Sequence, residues 1–194
     1  MPKVYDLGLN PHTATIAIWC RPNFEGDDGA THYILNSEYD SDNGIKLYKN
    51  ASDNLILSHE GSGTGVTASY DISAWNAGEW HSIIAVWSKN TIDGTDYLHL
   101  YIDGSEVANS TTKLGLVQGV EQYWDMGHDG GASQFDGLFS MQIDDIPWYA
   151  TESAATTAGF NKCKSAEYFH NSGAGNVPVV DEHTKFMLVN DNEG

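Results

Sequence analysis

From Leu98 to Asp103 the chain alternates apolar and polar positions without a break. Leu98, Leu100 and Ile102 share one face; Tyr97, His99, Tyr101 and Asp103 share the other, the period-two signature of a half-buried strand. Asp103-Gly104 then offers the residues that a tight hairpin takes at positive φ, and the run around Glu106 to Ala108 reads as the returning strand. Trp80 to Trp87 is apolar on both faces, with Ile84 and Val86 on one side and Ile83, Ala85 and Trp87 on the other. Such a strand is central and covered on both sides, and the pattern predicts Trp80 and Trp87 in the core.

Further strands follow from the same period. Thr13 to Cys20 alternates and is stopped by Arg21-Pro22; His32 to Ser37 is a second strand. Ile45 to Lys49 and Leu55 to His59 form a hairpin around residues 50–54, and Val66 to Tyr70 follows the Gly61 to Gly65 turn. Ser88 to Asp96 is a polar loop. Tyr123 to Gly127 precedes a Gly-rich loop, and Phe135-Asp136-Gly137 opens a strand to about Ile146. Beyond Tyr149 the texture changes to an Ala- and Thr-rich stretch. A short helix is expected over Ser165 to His170, with Ser165 near its N-cap. Asn171 to Pro178 reads as a linker, and Lys185 to Asn190 as a last strand that adds to an open sheet edge, this domain's or a neighbour's. The division is therefore a domain over 1–170 and a linker with tail strand over 171–194.

Composition narrows the class. The 194 residues suit one sandwich domain, and 20 glycines, six tryptophans and ten tyrosines fit an all-β chain rich in turns. Against 27 acidic residues stand nine Lys plus Arg, a net charge of −18. That balance argues against nucleic acid, which needs a basic surface. It reads as a solubilising surface, some of whose carboxylates could hold calcium. No apolar run reaches membrane-spanning length, so no membrane insertion is expected. Cys20 and Cys163 are read as free thiols, with one long-loop disulfide as the alternative.

The segments Ala77-Gly78-Glu79-Trp80-His81 and Leu98 to Gly104 together resemble the pattern "aGeWhhvavty…vrlYvDGklv" of the laminin-G-like, concanavalin A-like jelly rolls. Thr13 to Pro22 resembles "ftiaaWvkP", Phe135 onward "fdGliDevriy" with Ser140 at the usual Asp, and Ser165 to His170 the closing helix "lsaeEiaaly". The resemblance implies a two-sheet antiparallel jelly-roll sandwich and a fold that mostly binds. Family members carry a longer stretch before the first strand, with a "DssGn" loop that often helps bind calcium. Here that stretch is about a dozen residues, so either the domain is trimmed or the C-terminal strand fills the vacant edge.

Candidate chemistry is sparse. Glu38-Tyr39-Asp40-Ser41-Asp42 is only superficially like the paired-carboxylate strand of sandwich-fold glucanases, because Asn43-Gly44 makes it a loop. Asp40, Asp42 and Asn43 offer oxygens at calcium-loop spacing, without the distal Glu. Tyr97, His99, Tyr101, Trp124 and Trp148 are candidate sugar-stacking surfaces, and His128 and Asp129 sit in a polar rim loop. Two sequons, at Asn50 and Asn109, count only in a eukaryotic secretory pathway. There is no Ser-His-Asp or Cys-His nucleophile signature, phosphate loop or zinc spacing.

These readings favour a non-enzyme: a structural, adhesive module on a virus particle, such as a phage capsid-decorating or tail-associated protein. Its expected partners are other virion proteins or further copies of itself, and cell-surface glycans. Met1 to Asp6 carries no apolar signal region, which suits assembly in the cytosol. The alternative is an extracellular one, a carbohydrate-binding module of a secreted, calcium-dependent enzyme or adhesin.

Overall fold

The computed structural model describes residues 3–5, 12–38, 40–89, 96–117, 123–127, 134–176 and 179–188. Its strands are β1 (Lys3–Tyr5), β2 (Thr13–Pro22), β3 (His32–Asn36), β4 (Gly44–Lys49), β5 (Asn54–Gly61), β6 (Thr64–Asp71), β7 (His81–Ser88), β8 (Tyr97–Ile102), β9 (Ser105–Ser110), β10 (Tyr123–Met126), β11 (Gly137–Asp144) and β12 (Thr184–Leu188). Two short helices, α1 (Glu152–Thr157) and α2 (Ala166–His170), lie between β11 and β12. The strands pair antiparallel in two six-stranded sheets, ordered β1-β10-β3-β4-β5-β6 and β12-β11-β2-β7-β8-β9. This is the expected two-sheet antiparallel jelly-roll sandwich.

The main core lies between the sheets. Ile16, Ile18, Ile83, Ala85, Trp87, Leu98 and Leu100 of the second sheet meet Leu35, Ile45, Leu47, Leu55, Leu57, Val66 and Trp124 of the first. The faces therefore follow the alternation read from the sequence. At the β8–β9 turn Asp103 (φ 49°) and Gly104 (φ 78°) both take the left-handed conformation, the type I′ demand that Asp-Gly meets at low cost.

A second cluster forms on the outer face of the second sheet. Ala17, Ile84, Val86 and Tyr101 are covered there by Trp148, Ala166 and Phe169. This explains why β7 is apolar on both sides. The Ser165 hydroxyl caps α2 by accepting from the Tyr168 N–H at 3.2 Å, as the sequence suggested. The Ala- and Thr-rich stretch after Tyr149 is α1, capped by Thr151, a helix the sequence pattern did not show. β12 adds to the free edge of β11, pairing Met141 with Leu188 and Ile143 with Phe186; residues 189–190 of the expected strand lie outside the described residues.

Two boundaries differ from expectation. β2 runs on to Pro22, because Arg21 and Pro22 still pair with β11 after pairing with β7 ends at Cys20. Trp80 is not in the core: it is 50% exposed, whereas Trp87 is fully buried. In β7 the odd positions face the core, so Trp80 falls on the outer-face parity with Ser82, Ile84 and Val86. The helical cover stops at Ser82, which meets His170, and leaves Trp80 open. Both cysteines are free, Cys20 buried and Cys163 half-buried.

Candidate functional site

The outer face of the second sheet carries an open cavity of about 410 Å³, lined by Trp19, Trp80, Ser140 and residues 173–176. Trp19 points outward because Ile18 and Cys20 point inward. Its cross-strand neighbours are both small, Ser140 on β11 and Ser82 on β7, so the indole is not walled in along the sheet. One side of Trp19 is held in place: the His170 ring stacks at 5.9 Å and 14°, and Phe169 lies at 5.9 Å. The Trp19 Nε1 is buried and has no hydrogen-bond partner among the described residues. Gly175 passes so close that an added Cβ would stand 3.2 Å from the indole, at φ +68°.

The segment after α2 is folded back onto that helix by three hydrogen bonds. Gly175 N–H donates to the His170 carbonyl at 3.1 Å, Asn176 N–H to the Phe169 carbonyl at 3.2 Å, and Asn176 Nδ2 to the Tyr168 carbonyl at 2.7 Å. Behind it, Lys164 is buried against Asp144, with Nζ 2.6 Å from Oδ2, and reaches Asp181 at 3.1 Å. Asp144 also accepts from Trp148 Nε1 and Gln142 Nε2, each at 2.7 Å. A fully buried carboxylate is tolerable only with partners of this kind.

A second, more polar cavity of about 310 Å³ shares the lining residue Asn176 with the first. Asp103, Glu152, Glu167, Tyr168 and His170 are among its lining residues. Here Asp103 accepts from the Ser82 N–H at 2.9 Å and pairs with His81 Nδ1 at 2.9 Å. Burial alone would raise its carboxyl, but the hydrogen bonds from His81 and Ser82 and the nearby imidazoles outweigh it and hold Asp103 below the usual carboxylate range. Ser82 Oγ is 3.1 Å from His170 Nδ1, and the same nitrogen is 3.9 Å from Asp103. A catalytic triad uses opposite imidazole nitrogens for the hydroxyl and the carboxylate, and an accessible hydroxyl. Ser82 is 2% exposed and both partners face Nδ1, so this cluster ties α2 to the β7–β8 hairpin rather than forming a nucleophile.

The residues singled out from the sequence are dispersed. Tyr97, His99 and Tyr101 form a row on β8, with His99 bonded to Glu106 at 3.0 Å, but Tyr101 is buried beneath the helical cover. Trp148 is buried in the same cluster, and Trp124 faces the core between the sheets, so neither presents a ring to solvent. His128 and Asp129 lie outside the described residues. Asp40 and Asn43 close a turn: the Asp40 carboxylate accepts from the Asp42 N–H and from Asn43 Nδ2, both at 2.9 Å, and Asp42 is exposed beside them. Among the described residues no group of three or more His, Cys, Asp or Glu side chains converges as a metal site. The two tryptophans of the cleft are not among the sequence candidates; the parity that Trp80 shares with Ile84 and Val86 is the signal that points to it. A further aromatic pair, Tyr33 and Tyr48, stacks at 4.9 Å on the first sheet.

The family model described as the concanavalin A-like lectin/glucanases superfamily, Laminin_G_3, matches residues 3–156. The chain belongs to this laminin-G-like family. Solved structures with the same fold include a heptameric SAP-like pentraxin from Limulus polyphemus, at 18% identity, TM-score 0.50, over 72% of this chain and 66% of that one. Domain 4 of AbnA, an extracellular GH43 arabinanase from Geobacillus stearothermophilus in complex with arabinotriose, aligns at 16% identity, TM-score 0.50, over 68% and 60%. The sialidase CBM40 of Ruminococcus gnavus bound to α2,3-sialyllactose aligns at 14% identity, TM-score 0.53, over 68% and 75%. The chain thus spans less than two thirds of the first two structures, 66% and 60% of their chains. No curated protein matches the chain in sequence. The family match covers residues 3–156; residues 173–176, which line the cleft, lie outside the matched stretch of this laminin-G-like domain.

Proposed function

We propose that this laminin-G-like domain is a non-catalytic, adhesive module that binds glycan in the Trp19–Trp80 cleft. The observation that carries the reading is the open cavity with one half-exposed tryptophan, Trp80, and a second, Trp19, held in place by the stacked His170 ring and by Phe169. Sugar rings present apolar C–H faces to such indoles, and their hydroxyls suit the polar groups alongside. Two structures of similar fold, the arabinanase domain and the sialidase module, hold oligosaccharides, which supports carbohydrate as the ligand class. The reading places no demand on calcium at Asp40, Asp42 and Asn43. Residues 173–176, within the stretch read in the sequence as linker, line the cleft.

As the setting we infer the surface of a virus particle, with other virion proteins or further copies of the chain as neighbours. The acidic balance and a fold suited to binding support it; a carbohydrate-binding module of a larger secreted protein would use the same cleft. The test is calorimetry of the protein and of Trp80→Ala against a panel of neutral and acidic oligosaccharides. Binding that weakens about tenfold in the variant supports the cleft. Binding that is unchanged in Trp80→Ala contradicts it.

A further inference from the structure

We infer that the glycan is an uncharged oligosaccharide of at least two rings, lying across both cavities. This inference rests on the glycan reading above. Asn176 lines both cavities, so the aromatic cleft and the polar one meet at that residue. The aromatic part, Trp19 and Trp80, offers stacking faces for one ring. The polar part offers Asp103, Glu152 and Glu167, carboxylates that accept hydrogen bonds from sugar hydroxyls.

The same carboxylates select against acidic sugars. Among the described residues no Lys or Arg lines either cavity. The nearby cation Lys162 is paired with Glu152 at 3.5 Å, and Arg21, on the Trp19 face of β2, donates its Nε to the Gly78 carbonyl at 2.9 Å. With a net charge of −18 behind it, the groove meets a carboxylate or sulfate with like charge and with neither Lys162 nor Arg21 among its lining residues. Neutral rings pay neither cost. The occupant is therefore a neutral chain, long enough to leave the tryptophans and reach Glu167.

The experiment is a glycan array probed with the full chain and with Trp80→Ala, in which each neutral oligosaccharide is printed beside its sialylated and sulfated forms, at one to four sugar units. Solution titration of the strongest pairs follows. The expected result is binding by neutral members, tighter for two or more units than for one, at least about tenfold weaker for the acidic forms, and lost in Trp80→Ala. Acidic forms that bind as well as the neutral ones, still through Trp80, overturn this inference while leaving the glycan reading intact. Single sugar units that bind as tightly as chains overturn the two-cavity part. No Trp80-dependent binding at all overturns both.

Discussion

Asp28 shows how single charges set the response of this molecule to acid. Its carboxylate receives Lys49 Nζ at 2.7 Å and the Ala30 N–H at 3.0 Å, and pairs with His32 at 2.6 Å. Burial pushes the carboxyl up, yet these bonds outweigh it and bring it down to about 2. Unfolded, the same group titrates near ~3.9. A depressed folded value means that Asp28 stabilises the fold fully above that range, and that this stability is lost as the pH falls from ~4 through about 2. Unfolding midpoints measured across that window should decline in the wild type and decline less in Asp28→Asn. Lys164 makes the complementary case. Lys164→Met leaves the fully buried Asp144 without its cation, and should cost about 3–5 kcal/mol in denaturant unfolding. A loss under about 1 kcal/mol would mean that Trp148 and Gln142 satisfy Asp144 without the lysine.

At the scale of elements, the two tryptophans at the ends of the Trp80–Trp87 run separate core from site. Trp87 is fully buried, so Trp87→Ala should cost about 3–5 kcal/mol. Trp80 is half exposed, so Trp80→Ala should change stability by no more than about 0.5 kcal/mol. Equal costs would place Trp80 back in the core. β12 should also matter beyond its five residues: truncation before Asp181 removes both the strand on β11 and one partner of Lys164, and should lower the melting temperature. A truncated chain that melts like the full one would make the strand ornamental. Strands were readable because alternation and the Asp103-Gly104 turn act locally: Leu98, Leu100 and Ile102 lie where the pattern put them. The site was not readable by the same means. Whether Tyr101 or Trp80 meets solvent depends on where α2 lands, and that is fixed by contacts such as Ser82 with His170, 88 positions apart. Ile84 and Val86 announced that something covers the outer face, but not how far the cover extends.

At the scale of the whole molecule, the sandwich supplies a rigid face and the C-terminal segment turns part of it into a cleft. The proposed place on a virus particle carries its own expectation, because proteins of such assemblies work as symmetric oligomers. Light scattering of the purified chain should show self-association; a strict monomer at all concentrations would favour the carbohydrate-binding module of a secreted protein instead. The central claim concerns the cleft itself, and the indole N–H signals of the six tryptophans report on it directly. In an NMR titration with the oligosaccharide that binds best, the Trp19 and Trp80 signals should move, while those of buried Trp87 and Trp124 stay in place. Saturable binding that leaves Trp19 and Trp80 unmoved and shifts the Tyr33–Tyr48 face of the other sheet would contradict the account.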